Sequence, residues 1–114
     1  MASVNSVISS GRVEGTDVYN PNGDKLGSID DLMIDKISGQ VRYAVMEFGG
    51  FLGIGTDRYP IPWNVLTYDT GFEGYVVPIS QDQLEGAPRY SSEAVPEYDD
   101  AYRTSINRYY GVGV

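Results

Sequence analysis

Sixteen carboxylates, ten phenols and not one imidazole or thiol set the chemistry open to this 114-residue chain. Nucleophilic sets of the Ser-His or Cys-His kind are excluded outright, because the base that would activate the nucleophile is missing. What remains for acid–base work is a carboxylate pair, and the run Leu26 to Ile37 carries three candidates, Asp30, Asp31 and Asp35. Successive strand residues face opposite sides, so a regular strand turns Asp30 away from Asp31 and Asp35. These residues read as solvated strand faces around a bulge, where surface carboxylates are ordinary. No catalytic residue is assigned, and the chain is read as a non-enzyme.

Metal chemistry is narrowed the same way. Without His or Cys only hard oxygen sites for Ca²⁺ or Mg²⁺ are open. Asn20, Asn22 and Asp24 outline a Ca²⁺ loop superficially, but Gly23 comes too early for the EF-hand pattern and no Glu stands at its twelfth position. The segment reads as a hairpin turn. Gly50 to Gly55 is glycine-rich, yet it follows a strand without opening a helix and lacks a Gly-Lys-Ser/Thr ending, so it matches neither nucleotide fingerprint. Its Phe51, Leu52 and Ile54 either fold back to plug one barrel end or stay exposed as an interface patch. No cofactor and no metal are expected.

The formal net charge of −8 repels phosphate backbones and anionic membranes, which makes nucleic acid a poor partner. There is no cysteine framework, Met1 to Gly11 has neither the basic start nor the apolar run of a signal peptide, and no stretch is long enough to span a bilayer. A soluble, cytoplasmic protein is the expectation.

The elements that must position these residues are mostly strands. Residues 1–11 read as a loose leader, 12–87 as one β domain and 88–114 as a linker and tail. The strands expected are Arg12 to Tyr19, Leu26 to Ile37 with a bulge at Asp30-Asp31, Val41 to Phe48, Arg58 to Pro62, Leu66 to Asp69 and Tyr75 to Ile79. Turns fall at Asn20-Pro21-Asn22-Gly23 and Ser38-Gly39. Pro60 and Pro62 lack ladder donors, which marks an edge or short strand. Val41, Tyr43 and Val45 line one face of their strand while Ala44, Met46 and Phe48 line the other. A strand apolar on both faces is central or has its outer face covered.

Ser80 and Gln83 form a capping box for a helical turn ending near Gly86. Pro96 to Tyr110 carries the clearest helix pattern, with Pro96 at its start and Gly111 at its stop. Tyr98, Tyr102, Ile106 and Tyr109 recur at i, i+4, i+8 and i+11 and form one apolar face. So short a helix must bury that face, on its own barrel or on a second subunit; the second is favoured because a small barrel has little spare apolar surface.

The run Gly15-Thr16-Asp17-Val18-Tyr19, Gly23 to Ile29, Asp31 to Asp35 and Ser38-Gly39-Gln40-Val41 resembles the PRC-barrel domain family. Ala44-Val45, Phe48 to Gly55 and Tyr59-Pro60-Ile61-Pro62-Trp63 extend the resemblance over Val13 to Gln83. Asp99 to Arg103 and Tyr109 to Val112 are similar to tails of stand-alone bacterial members. The resemblance implies an all-β fold, a small six-stranded, mostly antiparallel barrel with a C-terminal helical tail, and a role in assembly or protein contact. It carries over no catalytic residue. The expected function is a non-catalytic interaction module, self-associating as a homodimer, with Phe51, Leu52, Ile54, Tyr98, Tyr102, Ile106 and Tyr109 as its contact surface and its protein partner unknown. The alternative is a small-ligand or Ca²⁺-responsive binding protein that uses the acidic loops.

Overall fold

A computed structural model of the chain describes residues 7–49 and 56–112, so Phe51, Leu52 and Ile54 lie outside the described residues. Turns at the two positions read from the sequence close the hairpins. Asn20 Oδ1 accepts the N–H groups of Asn22 and Asp24 and shapes the first turn. Asp35 Oδ1 accepts those of Ile37 and Ser38, both at 2.9 Å, in the second. The strands are β1 (Asp17–Tyr19), β2 (Lys25–Ile34), β3 (Val41–Gly49), β4 (Thr56–Pro62), β5 (Thr67–Asp69), β6 (Gly74–Val76) and β7 (Tyr90–Ser91). Helices α1 (Ser10–Val13), α2 (Gln81–Glu85) and α3 (Asp100–Tyr109) flank them, and a 3-10 turn, Trp63–Val65, follows β4.

The strands form one sheet in the order β5-β6-β1-β2-β3-β4-β7, antiparallel except for the β1–β6 pair. The six-stranded ring expected from the resemblance is corrected here. Among the described residues there are seven strands, and the order is open, ending at β5 and β7. The seventh comes from the segment read as linker, where Tyr90 and Ser91 pair with Arg58 and Asp57. A two-residue strand carries no alternation for a reader to detect. The first expected strand is also shortened, because Ser10 to Val13 forms a helical turn and tucks Val13 into the core.

The bulge expected in β2 is present: Ile29 pairs with Met46 and Asp31 with Val45, leaving Asp30 without a partner on β3. A second bulge lies in β3, where Met33 pairs with Tyr43 and Ile34 with Val41, so that Arg42 is the extra residue. Gly27 sits where β2 crosses closest to β3: a Cβ there would run into the Glu47 carbonyl oxygen and the Met46 side chain.

The main core gathers Val18, Leu26, Ile29, Ala44, Met46, Tyr59, Ile61, Tyr75 and Val77 from the sheet with Leu84 from α2. The capping box that starts α2 is formed in both directions, Gln83 N–H to Ser80 Oγ and Ser80 N–H to Gln83 Oε1. Tyr43 and Val45 are buried too, on the other face of β3. Directly opposite them on β4 stand Pro62 and Pro60, also buried. Cross-strand partners share a face, so these four residues make a second apolar patch.

Candidate interaction surface

Helix α3 begins four residues later than the sequence pattern places it. Asp99 is the cap, its Oδ1 accepting the Tyr102 N–H at 2.9 Å, and Pro96 lies outside the helix. A side-chain acceptor satisfies an orphan N–H that Pro at the first position merely avoids presenting. The other end is as expected. Gly111 takes φ +72°, the Val112 N–H reaches Asn107 O at 2.8 Å and the Gly111 N–H reaches Arg108 O. That is a Schellman stop, which needs a residue free to adopt positive φ.

The tail lies on its own chain. Tyr43 donates its hydroxyl to Asn107 Oδ1 at 3.0 Å, Tyr109 donates to the Gln83 carbonyl oxygen, and Tyr110 packs against the main core. Ile106 is 0% exposed. Tyr98, just before the helix, sets its ring tilted to that of Tyr43 at 5.8 Å and edge-to-face with those of Tyr90 and Tyr102 at 6.3 and 5.2 Å, and its hydroxyl meets that of Tyr90 at 2.7 Å. Burial pushes the Tyr98 phenol up, and burial followed by the nearby Tyr90 pushes that of Tyr102 up to about 12.

The four tail residues therefore do not form one exposed face. Ile106 is covered within the chain, Tyr98 and Tyr102 are half-buried, and Tyr109 is 41% exposed. The expectation that the barrel lacks spare apolar surface is corrected by the Tyr43, Val45, Pro60 and Pro62 patch. That patch is the second apolar face of β3, already visible in its alternation.

The carboxylates are also placed. The bulge brings Asp30 and Asp31 to line the same cavity, of about 250 Å³, rather than opposite faces. Arg58 spans Asp30 and Glu47 there, at 3.1 and 3.4 Å. Asp35 is spent on its turn, and hydrogen bonds from the Ser38 and Ile37 amides hold its carboxyl below the usual range. Asn20 uses Oδ1 on backbone donors and Nδ2 on Asp24. Among the described residues no group of three or more His, Cys, Asp or Glu side chains is placed to hold a metal, and no helix is long and apolar enough to cross a membrane.

Two features escape a reading by strand and helix periodicity. At the β2–β3 hairpin end Ile37 is 95% exposed and Ile34 52% exposed. Ile34 borders a cavity of about 160 Å³ with Met33, Tyr43, Tyr98, Asp35, Arg42 and Arg103. On the other side of Arg42, Tyr43 and Arg103 lies a cavity of about 330 Å³, completed by Pro62, Asn64, Asn107 and Val112. Ile37 has a sequence signal, an aliphatic residue set between a turn-forming Asp35 and Ser38-Gly39. The Arg-lined cavity has none, since its residues come from β3, β4, the 3-10 turn, α3 and the residue after the Gly111 stop.

Comparison with known proteins agrees with this β architecture. An uncharacterized protein of Deinococcus radiodurans is similar to the chain, 25% identical over 79 residues, which cover 69% of this chain and 28% of the relative. The chain thus spans little more than a quarter of that relative's length. PRC-barrel domains are in general non-catalytic modules. The family's sequence profile matches residues 6–84, well over half of the chain, and the chain belongs to the PRC-barrel domain family.

Proposed function

We propose that the chain is a non-catalytic contact module that associates with a second copy of itself through the β2–β3 hairpin end. The observation that carries this reading is Ile37, almost wholly exposed beside Ile34 and the Tyr98 cavity. A lone surface aliphatic is ordinary, whereas several gathered at one end mark a contact site. The turn beneath Ile37 is tied down by Asp35, which accepts three backbone N–H groups through its carboxylate and carbonyl. An anchor held in place loses little conformational freedom on association. Phe51, Leu52 and Ile54 stay in the proposal on their apolar character alone, as a second contact.

Sedimentation equilibrium over a wide concentration range tests it. The expected result is a reversible dimer that Ile37→Asp weakens by about tenfold or more, the scale of losing one buried anchor, with the melting temperature of the monomer unchanged. A chain that stays monomeric at the highest concentration, or a dimer indifferent to Ile37→Asp, overturns the hairpin contact.

A further inference from the structure

The larger cavity is lined by two arginines and no carboxylate. In a chain with twice as many acidic as basic residues, none of its seven lining residues is acidic. It is walled by Arg42, Arg103, Asn64, Asn107, Tyr43, Pro62 and Val112. We propose that this cleft binds a small oxyanion, the carboxylate or phosphate group of a small molecule, between Arg42 and Arg103.

Three observations converge on that chemistry. Arg42 is the extra residue of the β3 bulge, a device that re-aims a side chain out of the ladder. Arg103 lines both cavities, and its covered Nε has no acceptor among the described residues. Asn107 accepts the Tyr43 hydroxyl on Oδ1, which leaves its amide N–H groups to donate into the cleft. The wall is therefore rich in donors, and the planar guanidinium fork suits a carboxylate or phosphate edge.

The arginines do have partners within the chain. Arg42 lies 3.6 Å from Asp35 and Arg103 is paired with Asp100, but Asp100 is almost wholly exposed and the other three side chains are 32–49% exposed. Pairs of that kind hold weakly and leave the remaining guanidinium edges to a ligand. Asp35 borders the smaller cavity alone, so the anion sits in the larger one. The smaller cavity shares Arg42, Tyr43 and Arg103 with it and adds Met33, Ile34 and Tyr98, an apolar wall for an organic ligand's tail. This binding needs no second copy of the chain.

The test is titration of the intact ¹⁵N-labelled chain with inorganic phosphate and, separately, with succinate, against sodium chloride at matched ionic strength. Saturable shifts of the Asn64 and Asn107 side-chain amide signals are expected with at least one anion, and the responding arm tells phosphate from carboxylate. Arg103→Gln and Arg42→Gln should each weaken that response about tenfold, while Asp35→Asn should preserve it. Should a variant fail to fold, the wild-type amide signals still decide. Shifts no larger than with chloride, or a response that survives loss of both arginines, overturn the site.

Discussion

The placement of the tail on its own sheet is decided by one side chain. Ile106 is fully buried, and Ile106→Ala removes three carbons from a site with no exposure to solvent. At about 0.8 kcal/mol for each buried carbon the transfer loss is about 2.4 kcal/mol, and the cavity left behind raises it to about 3 kcal/mol. For a domain of this size that lowers the melting temperature by about 10–15 °C. In urea, the midpoint falls by about 1–2 M with an unchanged slope. The measurement is best made in an Ile37→Asp background, so that self-association does not enter. Intramolecular docking then makes both midpoints independent of protein concentration, whereas a tail docked on another subunit makes them rise with it. A loss below about 1 kcal/mol, or a concentration-dependent midpoint in that background, refutes the intramolecular packing.

Gly27→Ala is expected to cost about 1–3 kcal/mol, because the new methyl meets the Glu47 backbone at the β2–β3 crossing and strands must part to admit it; equilibrium urea unfolding reads it, and a neutral change would sink the close approach. High pH should destabilise the fold. The phenols of Tyr98, Tyr102 and Tyr110 are pushed up in the folded state by burial, so the native state holds protons that the unfolded chain releases. Stability is then full below the ordinary tyrosine range near pH 10 and falls as pH rises toward about 12, the folded value of Tyr102. Tyrosinate absorbance should rise in two phases, the later one coinciding with loss of structure; a single phase at the ordinary pH, with the fold intact, contradicts the buried tyrosine cluster.

Local chemistry was legible where a feature is decided within a few residues. The turns at Asn20 to Gly23 and Ser38-Gly39, the Asp30 bulge, the Ser80–Gln83 capping box and the Gly111 stop all depend on neighbours in sequence. The start of α3 was misplaced because Pro96 and Asp99 are both valid openings, and only the hydrogen bond to Tyr102 chooses between them. Strand β7 was invisible because pairing with Asp57 and Arg58 over two residues needs no pattern of its own. The strand order likewise depends on the parallel β1–β6 contact, which joins segments more than fifty residues apart.

The tail shows how one pattern conceals another. Tyr98, Tyr102, Ile106 and Tyr109 make the apolar stripe at helical spacing. Arg103 and Asn107 stand one position further round, also at i and i+4, and so lie side by side on the adjoining face. Burying Ile106 fixes the helix rotation. That rotation brings Asn107 to the Tyr43 hydroxyl and Arg103 to the cavities that Arg42 lines. The polar stripe therefore has a partner only because the apolar stripe docks within the chain. Had the tail docked elsewhere, Arg42 would line no cleft with Arg103, and the cover of Tyr43 and the donor-lined cavity would be lost together.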